Sequence, residues 1–113
     1  MNPAPTLPEV IRLRDARGER PENAAGIGEF WYEPEVWTLP LSPDARVLYA
    51  GLCSFLGHRE INRKDLRNTL KDRPDKEISR TLEELVHHGL LVPTRGDGAS
   101  RGYEVRPVSG IRG

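Results

Sequence analysis

"ISRTLEELVHHGLLV", residues 78–92, decides the fold. Ile78, Leu82, Leu85 and Val86 recur at helical spacing. Gly89 can adopt the left-handed conformation that ends helices, and "LLVP" follows at once as a strand. With the four apolar residues turned inward, about 100° per residue points Lys76, Arg80 and His87 outward, flanked by Glu83 and Glu84. Ser79 and Glu77 fall on opposite shoulders. The first two turns thus present Lys76, Ser79 and Arg80, and the last turns are acidic.

Upstream, "LSPDARVLYAGLCSFLG" predicts a first helix. Ser42 is its cap, Pro43 suits the first helical position, and Asp44 suits the positive end of the dipole. Ala45, Leu48, Leu52, Phe55 and Leu56 form its stripe, and Gly57 closes it. "REI" predicts a short strand. Asn62 caps a second helix, "RKDLRNTLK", whose stripe is only Leu66 and Leu70. Pro74 breaks that helix, and Asp75 is expected to cap the third. "TRGDGASRG" predicts a hairpin loop and "YEVRPV" its return strand.

The ends read differently. Residues 1–28 balance four acidic against four basic residues and hold few large apolar groups, so a flexible N-terminal arm is expected. Residues 29–107 form the expected domain, and 108–113 a frayed tail. "GIGEFWYEPEVW" carries four of the seven aromatics, and its two glycines make no dinucleotide fingerprint. Those aromatics are read as extra core packed on the first helix, or as a homodimer interface through Trp31 and Trp37.

Composition bounds the function classes. The 113 residues suffice for one domain, and the formal charge is zero, so composition alone does not point to nucleic acid. No apolar run approaches a membrane span, and the start, "MNPAPTLPEV", lacks the apolar segment of a signal peptide. Cys53 is the single cysteine, which suits a reducing cytoplasm. Cys53, His58, His87 and His88 match no metal-ligand spacing, and no catalytic triad, carboxylate pair or phosphate loop is visible, so neither a metal, a cofactor nor an enzyme is expected.

The element order is helix, strand, helix, turn, helix, strand, loop, strand. "ISRTLEELVHHGLLV" resembles the recognition-helix-into-wing segment of bacterial winged-helix regulators. "WTLPLSPDARVLYAGLCSFLG" is similar to the first helix of helix-turn-helix domains in plasmid replication initiators and DnaD-like primosomal proteins. The resemblance covers residues 35–107 and implies an α+β winged helix-turn-helix, a three-helix core with a small antiparallel hairpin wing. One departure is the turn "KDRPDK", charged where the family carries a small Gly-apolar-Ser turn.

The resemblance implies double-stranded DNA as the partner, in transcription regulation or in replication initiation of a plasmid or phage. Lys76, Ser79 and Arg80 would face the groove. Arg63, Lys64 and Arg67 on the second helix, with Arg95 and Arg101 on the wing, would hold phosphates. Residues 58–106 carry eleven Lys/Arg against nine Asp/Glu, and residues 29–57 one against four, an asymmetry of the right sign. The alternative is a winged helix that binds a protein and no DNA; an Arg80–Glu84 pair on a solvated face would fit it.

Overall fold

The computed structural model describes residues 7–27, 30–56, 60–94 and 100–108. Three helices, α1 (Pro43–Phe55), α2 (Arg63–Thr69) and α3 (Asp75–His87), pack with a mixed sheet of β1 (Val10–Asp15), β4 (Glu60–Asn62), β5 (Leu91–Thr94) and β6 (Ser100–Val105). A separate two-stranded ribbon, β2 (Ala25–Ile27) and β3 (Phe30–Tyr32), leads through a 3-10 turn at Pro34–Thr38 into α1. The fold is α+β.

The helix ends follow the local chemistry. Ser42 Oγ accepts from the Ala45 amide at 3.1 Å, with Pro43 in the first helical position. Asn62 and Asp65 form a reciprocal capping box, each side chain 3.0 Å from the other's backbone N–H. At the end of α3, Gly89 has φ +78°, its amide reaches the Val86 carbonyl, and the Leu90 amide reaches that of Leu85. That double bond pattern ties off the helix and drops Leu90 and Leu91 straight into the core. The turn expected at Gly57 lies outside the described residues.

Asp75 is not the cap of α3. Pro74 occupies that position, without a side-chain bond, and Asp75 begins the helix. Its carboxylate is taken instead by Arg67 of α2, Nε to Oδ1 at 2.9 Å and Nη2 to Oδ2 at 2.6 Å. Arg73, in the same turn, donates to Asp44 at the start of α1, 2.9 Å away. Asp72 sits between them with φ +66°, a conformation short polar residues tolerate. Two ion pairs thus hold the charged turn where an apolar residue would have filled it.

Residues 7–27, the described part of the span 1–28, are not the flexible arm expected. They supply β1, which lies inside the sheet, in the order β4-β1-β6-β5. β1 runs antiparallel to β4, Ile11 opposite Ile61, and parallel to β6, Leu13 opposite Tyr103. Leu7, Ile11 and Leu13 are buried in the same core as α1 and α3. The physical reason is a period-two pattern: Ile11 and Leu13 face the helices while Arg12 and Arg14 face water. The same neighbour lengthens β6. Ser100, Arg101 and Gly102, expected in the loop, pair with Val10, Ile11 and Arg12. The packed chain also runs past 107: Val108 is buried and its amide donates to Glu33.

The two edges of the sheet are short, β4 with three residues and β5 with four. Pro93 in β5 has no N–H to offer a further strand, which blunts that edge.

Two outcomes test this architecture. Deleting residues 1–16 should abolish cooperative unfolding, since it removes an inner strand; a truncated chain that melts as sharply as the parent would restore the arm. A Cβ on Gly51 would lie 2.6 Å from Thr69 Cγ2, where α1 meets α2. Gly51→Ala should therefore lose about 1–3 kcal/mol in urea denaturation, as overpacking does, and Thr69→Ser in the same chain should recover most of it.

Candidate nucleic-acid interface

The outer face of α3 is the starting point. Lys76 and Arg80 are exposed and Ser79 is half-buried, as the helical period requires. Ile78, Leu82 and Leu85 are buried and Val86 is packed partly against the core. Arg80 stands 3.6 Å from Glu77, with 66% of its side chain exposed. Glu84, its partner only in the alternative reading, is engaged elsewhere. Glu84 accepts from the Ser42 amide at 2.8 Å and the Ser42 hydroxyl at 2.7 Å. One acid of α3 therefore clamps the start of α1, and Arg80 is left with a loose contact that a stronger anion can displace.

The cations of α2 divide. Arg63 turns inward and donates to the Leu7 carbonyl from Nε and Nη2, at 3.2 and 2.9 Å. It anchors the lead-in to β1. Arg67 is spent on Asp75, whose hydrogen bonds hold the Asp75 carboxyl below its ordinary value. Lys64 is exposed and, among the described residues, makes no ion pair, as is also true of Lys71, Lys76 and Arg101.

Arg101 lies on β6, and Arg95 lies outside the described residues. Between α3 and the β5–β6 hairpin runs an open groove of about 620 Å³. Glu83, Val86 and His87 line it from the helix, and Pro93, Arg101 and Tyr103 from the hairpin. The exposed outer side of the sheet carries pairs as loose as Arg80–Glu77: Arg12 lies 3.8 Å from Glu60, and Arg14 and Arg106 lie 3.5 and 3.6 Å from Glu104. Exposed cations without an ion pair among the described residues thus include Lys64 on α2, Lys71 in the turn after it, Lys76 at the start of α3 and Arg101 on β6.

The aromatic segment splits. Trp31 offers no surface to a partner: it is buried under the Arg17 guanidinium, whose carbon lies 3.6 Å from the ring centroid. Arg17 also donates to the Trp31 carbonyl and, at 3.0 Å through two nitrogens, to Asp15. Burial alone would raise the Asp15 carboxyl, but the hydrogen bonds and charge of Arg17 outweigh it and hold it low. Trp37, in contrast, is 42% exposed and meets Tyr32 edge-to-face.

Cys53 is buried in α1, and burial pushes its thiol up to about 11. It is a protonated core group at neutral pH. Among the described residues no group of three His, Cys, Asp or Glu comes together as metal ligands, and His58 lies outside them. No helix there is long and apolar enough to cross a membrane.

Sequence reasoning missed Arg17, the most buried cation described. Its signal was faint: an arginine two residues after an aspartate in a polar segment. Compared with models of protein families, with curated proteins and with solved structures, the chain matches none.

Since Arg80 touches Glu77 only loosely and is solvated, Arg80→Ala should change unfolding free energy by less than about 0.5 kcal/mol. Arg17→Ala removes the guanidinium from the Trp31 carbonyl and leaves Asp15 only the residue 17 amide, and should cost about 3 kcal/mol or more. Equilibrium denaturation of the two variants checks the contrast.

Proposed function

We propose that this chain is a winged-helix DNA-binding domain, acting in transcription regulation or in replication initiation. α3 is the recognition helix and the β5–β6 hairpin the wing. The observation that carries the reading is the exposed, weakly paired basic start of α3, Lys76 and Arg80, on the same molecule as an unpaired Arg101 on the hairpin. A helix of 13 residues with a free outer face fits a major groove, and its first turns are those that meet base edges. Lys64 and Arg101 hold phosphates. Arg67 contributes only by sharing or leaving Asp75. In this reading β1 is an addition, a strand inserted between the two that a winged helix ordinarily pairs.

A protein-binding winged helix is the second reading. The close pairing of Arg67 and Arg73 with acids favours it, as does exposed Trp37, the remaining candidate for a homodimer contact.

Site selection from random duplexes, followed by salt titration, separates the two. Arg101→Ala should weaken binding to all duplexes alike and lower the salt slope by about one unit. Arg80→Lys keeps the charge but loses the two-pronged donor, so it should cost about 1–3 kcal/mol of preference at one base position. Unaltered preferred sites in Arg80→Lys remove base reading, and no duplex binding at low salt leaves the protein-binding reading.

A further inference from the structure

The groove between α3 and the hairpin has a chemistry of its own. Along α3, Glu83, Val86 and His87 stand at i, i+3 and i+4, so they share one face. Opposite them, Pro93 of β5 pairs in register with Tyr103 of β6. Side chains of one strand alternate between faces. Leu91 and Val105, both buried, are a facing pair, so Pro93 and Tyr103, two residues along, fall on the same helix-facing side. Arg101, two residues before Tyr103, continues that row to the open end. The result is an open groove of mixed lining, in which Val86 and Pro93 give apolar surface, the buried Tyr103 shows only an edge, a guanidinium stands at one point on the rim, and a carboxylate, Glu83, lies on the helix side. Its volume of about 620 Å³ is that of a small-molecule site rather than of a packing defect.

We infer that this groove binds one nucleotide: a planar base between Val86 and the Pro93–Tyr103 pair, with its phosphate on Arg101. A guanidinium presents paired donors to phosphate oxygens. A carboxylate accepts from the exocyclic amine of cytosine, adenine or guanine, whereas an unpaired uracil or thymine offers it a single N3–H flanked by two repelling carbonyls. The groove therefore prefers amino-bearing bases. The nucleotide comes either free or as an unpaired residue of a nucleic-acid strand. Arg101 is shared with the phosphate contacts of the proposed duplex interface, whereas Val86 is not, so a change at Val86 tells the two apart.

The test uses the full chain and four probes: CMP, AMP, UMP and inorganic phosphate, followed by calorimetry and by amide chemical shifts. CMP and AMP should bind, shifting the amides of Val86, Tyr103 and Arg101, and should exceed UMP by about tenfold, the scale of one good polar pair. Glu83→Gln should erase that preference while keeping the fold. Val86→Trp should fill the slot and abolish nucleotide binding, with blunt-duplex binding retained. A duplex with a single-stranded cytidine overhang identifies the source. Tighter binding than to the blunt duplex, competed by CMP, assigns the strand; CMP binding without that gain assigns the free nucleotide. Inorganic phosphate binding as tightly as CMP, UMP binding equal to CMP, or nucleotide binding undiminished in both variants overturns the inference. Loss of blunt-duplex binding with CMP binding intact would count against the DNA reading alone.

Discussion

The sheet depends on how its inner strand is held. β1 lies between β4 and β6, so without it those strands have no common partner. A parallel strand from near one end of a chain is entropically expensive to place, because its partner is some ninety residues away. Three anchors hold it. Ile11 and Leu13 bury apolar surface on the helix side. Arg63 fixes the Leu7 carbonyl just before the strand. Just after it, Arg17 is hydrogen-bonded to Asp15 and the Trp31 carbonyl and stacked on the Trp31 ring. That last contact is a buried charge with its polar partners supplied, which is the condition under which burial of a charge is tolerated. It also ties the sheet to the β2–β3 ribbon, so the aromatic segment and the N-terminal strand order each other.

Legibility in the sequence followed the range of the interactions. Ser42, the Asn62–Asp65 box and Gly89 are local devices, complete within four or five residues, and each appears where its chemistry puts it. β1 was not legible, although its alternation is plain in hindsight. Averaging over 28 residues buried a six-residue pattern beneath charge and proline, and parallel pairing to β6 leaves no trace near β1 itself. Arg17 was missed because a buried guanidinium differs from a solvated one only in its distant partners. Asp75 was misread for a related reason. An aspartate at a helix start is a good cap, but a guanidinium eight residues upstream competes for the same oxygens and binds them in pairs.

The candidate interface was read from one helix and was partly legible. The helical period placed Lys76, Ser79 and Arg80 correctly as an outer face, since α3 has a strongly one-sided apolar stripe. The availability of their neighbours was not readable. Whether an arginine is a free cation depends on which acid folding brings to it, and here Arg67 and Arg73 are drawn into the turn between α2 and α3. The charged turn "KDRPDK" explains that outcome. Lacking an apolar plug, the turn closes with electrostatics and removes two cations from the surface that a nucleic acid would use.

The same redistribution sharpens what remains. A surface on which every arginine were free would bind polyanions strongly and without discrimination, because phosphate contacts supply affinity and base contacts supply preference. Here the inter-helix turn neutralises itself in ion pairs, and the exposed sheet face carries looser ones. Among the described residues, Lys64, Lys71, Lys76 and Arg101 are exposed and in no ion pair, and Arg80 is held only loosely. Under the proposed DNA reading, few phosphate contacts would make a single copy weak and salt-sensitive, and would give the bidentate reach of Arg80 a larger share in choosing among sequences. The acids that neutralise this protein's composition therefore serve two ends at once. They tie α1, α2 and α3 together, and they leave Lys64, Lys71, Lys76 and Arg101 without an ion pair among the described residues.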